Sequence, residues 1–373
     1  MSIWVGNSPL RQVSLLAKIS LIVPLKGKPP KPEELYLSIL QQTLKPDEII
    51  IVYQGGFDEI FEKYTASEIK IIDARGTSGA NLARNIGIKN ALGDILIFTD
   101  SDVRLTENWV ENIIKLFEKY PDIYCVAGSM VSANPEAFLS KYLDYSIISP
   151  TRAAKVNLEI VNIVNKLFKN NTKVQIIDEG ALIANDIPLS TLIVTCNFAI
   201  KRKIVDKVGF FDEEYKAYGS DDIDYAYRIL KSGYKILCVP ELVVYHYHRN
   251  TLVKLLKRYF QYGLGFSIFK RKHPESIFSK ALTYILLFLL SYFVLSIIFL
   301  LLGFYLVGFS MFLFSYGVLL LHNIIRHRKK IRVSEIVSYA FLDLLLIIVS
   351  CLGIIAGDMV FTLRKFFKKQ SES

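Results

Sequence analysis

The side chains able to do chemistry in this sequence lie in two acidic runs and one glycine-bearing loop. Asp100-Ser101-Asp102 follows the apolar, β-prone run Ile95-Leu96-Ile97-Phe98. Residues two apart in a strand share a face, so both carboxylates point the same way. Two like charges that close need a counter-charge. A divalent cation carrying a diphosphate supplies one, because Mg²⁺ is usually held by one or two carboxylates together with phosphate oxygens. The competing reading is a strand ending in an Asp-rich turn. Ahead of this run, Gly76-Thr77-Ser78-Gly79 leads into a helix that opens with Ala80 and carries Arg84 and Asn85. Amides at such a helix start can face an anion. The second acidic run, Asp221-Asp222-Ile223-Asp224, opens a helix that Gly233 ends. Asp224 and Arg228 are i, i+4 partners within it.

The elements that must position these groups alternate. Strands are expected at Ile19–Pro24, Ile49–Tyr53, Ile69–Ile72 and from Ile95, with helices over Glu33–Gln42, Asp58–Tyr64 and the stretch that Gly93 closes. That alternation predicts an α/β fold with a mostly parallel, Rossmann-like sheet and helices on both faces. Ligands of such sheets sit at the carboxyl ends of the strands, where Asp100 and Asp102 fall. A helix over Asn108–Tyr120 and a strand at Ile123–Gly128 follow. Residues 132–192 are less regular, with helical stretches at Ala137–Tyr145 and Val156–Phe168, and read as acceptor-side structure or a mobile insertion. Strands return at Thr195–Ile200, Lys235–Pro240 and Val243–His248.

The chain has 373 residues, a hydrophobic fraction of 52% and a formal charge of +10. That length suits two ordinary domains, or one domain with a membrane region. The four cysteines are isolated, which excludes a CxxC zinc site or a disulfide scaffold and fits a reducing compartment. The basic residues cluster beside apolar runs, so a membrane surface, not nucleic acid, is the expected partner. No basic stretch followed by an apolar core opens the chain, and a signal peptide is not expected. Leu252 to Phe269 is helical, basic and aromatic, and reads as lying along the membrane surface. Ala281 to Leu321 carries no charge and is long enough for two spans joined by a turn near Gly303. Arg326 to Arg332 marks the return to the cytoplasmic side. Ile336 to Phe361 is apolar but holds Asp343 and Asp358. A span there would leave the basic tail outside, so two spans are expected and the third stays open.

Four blocks in order resemble the family-two inverting glycosyltransferases, which have the GT-A fold. They are Ser20-Leu21-Ile22-Val23-Pro24 with Pro46-Asp47-Glu48-Ile49-Ile50-Ile51-Val52, the loop–helix Gly79 to Gly87, Asp100-Ser101-Asp102, and Gly209-Phe210-Phe211-Asp212 followed by Asp221 to Arg228. The resemblance covers roughly residues 19–248. It implies a nucleotide-sugar donor, Mg²⁺ or Mn²⁺, and inversion at the anomeric carbon. On it, Asp102 helped by Asp100 would hold the metal. Pro24, Gln54, Arg84 and Asp100 would contact the nucleotide. Asp222, with Asp221 beside it, would be the general base. Capping that helix needs one acid, not three, and Asp224 would serve as scaffold with Arg228. His246 and His248, on one strand face, would be further metal ligands or packed core histidines.

Two departures from the family stand out. Leu25-Lys26 replaces the usual Thr-Tyr pair after the first strand, and Tyr53-Gln54 replaces an Asp pair after the second. The donor is therefore open between UDP- and GDP-sugars. The glutamine–arginine–tryptophan motif of processive synthases is absent around 249–270, which argues for one sugar per visit.

The implied organisation is an N-terminal arm (1–18), a GT-A domain (19–250), amphipathic juxtamembrane helices (251–280) and a transmembrane hairpin (281–325). A basic loop, a third membrane-associated helix and a basic tail (326–373) complete it. The expected location is the cell membrane, multi-pass, with the catalytic domain cytoplasmic. The expected acceptor is a hydroxyl of a lipid-linked glycan. A polyprenyl or dolichyl phosphate is the alternative, and a non-catalytic membrane-anchored scaffold is an alternative of another class.

Overall fold

A computed structural model of the chain describes residues 17–64, 68–151, 154–155, 158–167, 173–185, 193–216, 219–248 and 251–371. The expected N-terminal arm therefore lies almost wholly outside the described residues, as do Tyr218 and both ends of the helix expected at Val156–Phe168.

The first half alternates as its apolar pattern requires. Strands β1 (Ile19–Leu25), β2 (Glu48–Tyr53), β3 (Ile69–Asp73) and β4 (Ile95–Phe98) are separated by helices α1 (Pro32–Leu40), α2 (Ile60–Lys63) and α3 (Ala80–Asn90). Their order in the sheet is β3-β2-β1-β4, all parallel. β1 is buried along its whole length, as a central parallel strand must be. It runs one residue beyond Pro24. Its last β4 pairing is Ile22 with Phe98, so Pro24 lies where no ladder hydrogen bond is required on that side. Alternate residues feed two cores. Leu21, Val23 and Leu25 pack with α1 and with α4 (Trp109–Lys119), whereas Ile22 packs with α3 and with α8 (Asp221–Lys231).

Beyond β4 the sheet is mixed. β5 (Val103–Arg104), β6 (Cys125–Ser132), the hairpin β7 (Lys173–Ile177) and β8 (Gly180–Ala184), β9 (Phe198–Lys201) and β10 (Ile236–His246) complete it in the order β4-β9-β6-β10-β8-β7. β9 runs antiparallel to both β4 and β6. Helices α5 (Phe138–Tyr145) and α6 (Leu158–Leu167) lie between β6 and the β7–β8 hairpin, and β9 comes after that hairpin, so no single helical crossover joins it to a neighbouring strand. α7 (Lys203–Val208) follows it.

One side chain ties this half together. The fully buried Asn197 accepts from Trp109 Nε1 at 2.9 Å and donates to the carbonyls of Ser129 and Leu242, each at 2.7 Å.

After the sheet come α9 (Leu252–Lys272), α10 (Ile277–Leu301), α11 (Tyr305–His327) and α12 (Val333–Ser371). Among the described residues three segments are long and apolar enough to cross a membrane: Ile277–Leu301, Tyr305–His327 and Val333–Leu363. The chain is thus a multi-pass membrane protein by length and composition, and the turn between the first two is at Gly303, with φ of +83°. α9 packs along α12 through small residues: Gly263 lies against Ser350 and Gly353, and Gly357 against Ser267. Gly353 and Gly357 form the small-xxx-small spacing that lets helix backbones approach.

Asn197→Ala would leave an indole N–H and two carbonyls unpaired, at about 1–3 kcal/mol for each buried group. The melting temperature of the detergent-solubilised protein is expected to fall by several degrees. An unchanged melting curve would show that the three partners find other bonds.

Candidate functional site

A cleft of about 290 Å³ opens at the carboxyl ends of β1, β2 and β4. Pro24 and Gln54 line one end, Arg84, Asp100 and Asp102 the middle, and Asp221 and Asp222 the far wall. The sheet brings together what the sequence separates by more than a hundred residues.

Asp100, Asp102 and His246 each turn one ligand atom into a space where all three atoms lie within 4.8 Å of one another. β5 makes this meeting. It folds back and pairs Val103 with His246, the last residue of β10, and Asp102 O accepts from Tyr247 N at 2.9 Å. His246 Nε2 then stands 3.3 Å from Asp102 Oδ1. Two carboxylate oxygens and one imidazole nitrogen fit Mg²⁺ or Mn²⁺, with room for diphosphate oxygens as further ligands. His248 is not one of the three. Its ring centroid lies 4.6 Å from that of His246, and its buried Nε2 has no partner among the described residues. Burial, then the neighbouring His246 and Arg258, hold its pKa well below the usual imidazole range.

Arg84 is a buried guanidinium shared between the two acidic runs. It donates to Asp100 Oδ1 at 2.9 Å, to Asp221 Oδ2 at 3.3 Å and to Asn81 Oδ1 at 3.1 Å. Burial opposes its charge, but Asp100 and Asp221 outweigh that cost and raise its pKa. Arg84, expected to face the nucleotide, is thus bonded to both acidic runs. Gln54, expected at the nucleotide base, donates to Thr77 Oγ1 at 3.0 Å and to the Gly79 carbonyl at 3.2 Å.

Among the described residues Asp222 forms no ion pair, and its Oδ1 accepts only the Ile223 amide, at 2.9 Å. Burial, and after it the charge of Asp221, pushes its carboxyl up to about 8. Asp221 is raised too, by burial, with Arg84 opposing. A carboxyl with that environment can accept a proton near neutral pH. Asp224 differs. It is almost fully buried and bonded to Arg228 Nε at 2.8 Å and His273 Nε2 at 2.7 Å, the scaffold arrangement its spacing suggested.

The start of α8 is held from outside the sheet. Ser220 takes a left-handed backbone, φ +64°, after Gly219. The Gly219 carbonyl rests on Gly265 of α9, where an added Cβ would come within 2.2 Å of it. Tyr262 packs on Gly219, and Arg258 donates to Tyr262 OH at 2.7 Å. Arg258, Tyr262 and Phe266 all line the cleft. Sequence reasoning missed this wall, because a basic, aromatic helix next to apolar runs reads as a membrane-surface element. The signal was the four-residue recurrence of Arg258, Tyr262 and Phe266 on one helix face.

The profile of Glycosyl transferase family 2 matches residues 20–209, just over half of the chain. The O-antigen chain rhamnosyltransferase RfbN of Salmonella typhimurium is 25% identical over 256 residues, covering 66% of this chain and 72% of the relative. The uncharacterized glycosyltransferase YwdF of Bacillus subtilis is 37% identical over 103 residues, covering 27% of this chain and 38% of that one. In structure, the mannosyltransferase PcManGT from Pyrobaculum calidifontis, solved with GDP-Man and Mn²⁺, aligns with a TM-score of 0.55 at 16% identity, over 91% of this chain and 87% of that one. A GT-A sheet bearing an Asp/Asp/His cluster defines a glycosyltransferase whose site is consistent with metal-dependent catalysis. The chain belongs to glycosyl transferase family 2.

Gly265→Ala is expected to move the α8 start. It should lower kcat by roughly tenfold or more, since small misplacements of reacting groups cost rate. Manganese-dependent nucleoside diphosphate binding, measured by calorimetry, should be unchanged. Wild-type kcat in this variant would show that α9 does not position the acids.

Proposed function

We propose that this protein moves one sugar from a nucleoside diphosphate sugar to a hydroxyl of a lipid-linked glycan at a membrane surface, with inversion. The observation that carries this reading is Asp222, a half-buried carboxyl that forms no ion pair among the described residues and lines the same cleft as Asp100 and Asp102. A phosphate acceptor is already ionised and needs no base, whereas a hydroxyl does. The relative named for O-antigen chain rhamnosyl transfer supports a glycan acceptor. The apolar helices support one held at a bilayer. The basic loop Arg326–Arg332 supports a cytoplasmic catalytic domain.

In this reading Asp100, Asp102 and His246 would hold Mg²⁺ or Mn²⁺, which stabilises charge on the departing nucleoside diphosphate. Pro24 and Gln54 flank the nucleotide end of the cleft. Asp222 takes the proton from the acceptor hydroxyl as the oxygen attacks the anomeric carbon from the face opposite the leaving group. Arg84 holds Asp221 and Asp100 in place by its hydrogen bonds, which leaves Asp222 free to take the proton.

Asp102→Asn and Asp222→Asn should each reduce transfer by at least roughly 10²-fold. Only the first should weaken manganese-dependent binding of nucleoside diphosphates. The assay is turnover of a panel of UDP- and GDP-sugars by membranes holding each variant. Full transfer by Asp222→Asn would remove the base assignment. No turnover by the parent, with no binding of any nucleoside diphosphate, would favour a non-catalytic scaffold.

The same role fixes a pH dependence. Asp222 accepts a proton only when ionised, and its carboxyl is raised to about 8. The kcat/KM profile should therefore fall with decreasing pH through a limb far above the ordinary carboxylate range. A profile flat down to about pH 5, close to where an unperturbed carboxylate titrates, would contradict it.

A further inference from the structure

The apolar segment of α12 reads as a third membrane span by length and composition, yet its contacts run in another direction. At its start Glu335 pairs with Lys141 of α5 at 2.8 Å. Two turns on, Asp343 is fully buried and accepts from Tyr142 OH at 2.8 Å and Ser146 Oγ at 2.6 Å, both from the catalytic unit, and from Asn323 of α11 at 3.2 Å. Gly353 and Gly357 then pack on α9. Asp358 accepts from Ser267 Oγ at 2.5 Å and Lys270 Nζ at 2.6 Å, and Arg271 lies 4.2 Å over the Phe361 ring. From Glu335 to Phe361 the helix is about 39 Å long at 1.5 Å per residue. It is tied to the catalytic unit or to α9 at both ends.

α9 cannot follow α12 through a bilayer. Its other side lines a cleft with four carboxylates, and its last turn pairs Lys272 with Asp212 and Glu214, with Asp224 held by the adjoining His273. A bilayer's hydrocarbon is about 30 Å thick. If α12 crossed it, one end of this acidic cleft would be carried into or beyond the apolar core, where a charged side chain is costly.

The face of α12 turned away from these contacts is apolar. Val337, Phe341, Ile348, Leu352, Met359 and Leu363 are all exposed, Phe341 at 57% and Leu352 at 53%. At about 100° per residue they fall within an arc of about 80°, opposite Glu335, Leu346, Gly353 and Gly357. The stripe is continuous in sequence with the α10–α11 hairpin through the basic turn Arg326–Arg332.

We propose that α12 does not cross the membrane but lies in its plane, with the catalytic unit and α9 on one face and the acyl–headgroup boundary of the bilayer on the other. The spans are then α10 and α11 alone. The basic tail from Arg364 stays on the same side as the catalytic domain, in keeping with the distribution of basic residues. Through α9 and the α12 beneath it, the wall of the cleft that holds Arg258 and Tyr262 is tied to the lipid surface. The inference rests on packing and bilayer dimensions, and stands whether or not sugar transfer is the activity.

Two measurements on the full chain test it. In sealed membrane vesicles, an epitope after Ser373 should share its side with one on the catalytic domain, opposite one inserted at Gly303. A C-terminal epitope on the Gly303 side would overturn the proposal. Separately, single cysteines at Val337, Leu352 and Leu363 carry a fluorophore in vesicles with brominated lipids, with the labelled parent as background for Cys351. Quenching should be nearly equal at all three positions. A spanning helix would instead give a maximum at Leu352 and several-fold less quenching at the two ends.

Discussion

Four carboxylates converge on one cleft, and Arg84 is the cation that allows it. Its guanidinium lies under the cleft with almost no exposure and reaches Asp100 of the metal cluster and Asp221 of the α8 start at once. Removing it would leave buried like charges facing each other, the circumstance in which burial and repulsion force protons on. With it in place, the charge is apportioned unequally. Asp100 and Asp221 are paired with it, Asp102 faces His246, and Asp222 forms no ion pair among the described residues. The raised carboxyl of Asp222 therefore follows first from its burial and then from the charge of Asp221 beside it.

That arrangement depends on α9 as much as on the sheet. The left-handed step at Gly219-Ser220 turns the chain so that α8 begins with its acids toward the cleft. The step is tolerated because Gly265 offers no side chain where the Gly219 carbonyl sits. Asp224 gathers Arg228 and His273 into one buried network in the first turn, and toward the far end of the same helix Tyr227 OH and Lys231 Nζ donate to Glu275, just beyond α9. The helix carrying Asp222 is thus clamped at both ends by an element outside the region matched to the family. Membrane attachment and the geometry of the acids are mechanically the same structure.

Much of this was legible in the sequence where the pattern is local. The strand–helix alternation to Phe98 and the Asp224–Arg228 spacing follow from periods of two and of three to four residues, whereas Asp100 and Asp102, expected on one strand face, lie in the turn beyond the end of β4. What was not legible is long-range. Nothing in the local pattern of β9 fixes its antiparallel entry between β4 and β6. His246 and His248 are indistinguishable by strand parity, and only the β5–β10 pairing selects His246 for the cluster. Arg84 carries a motif position that the resemblance assigns to the nucleotide, but its partners come from residues 16 and 137 positions away.

The third apolar run shows the same limit from the opposite direction. Hydropathy counts residues and takes no account of which neighbours will satisfy them. Asp343 and Asp358 made that run ambiguous, since an acid in a span is costly unless it is paired. In the fold each acid has its partners on the catalytic side: Tyr142 and Ser146 for the first, Ser267 and Lys270 for the second. Asp343 falls beside the face of α12 that also carries Gly353 and Gly357, Asp358 stands at its flank, and the opposite face is mainly apolar, with Ser334 at its start. A helix sided in this way, apolar on one face and bonded on the other along its whole length, has the character of an interface. A lipid-spanning helix meets acyl chains on most of its circumference and has no use for a row of specific polar anchors at both ends.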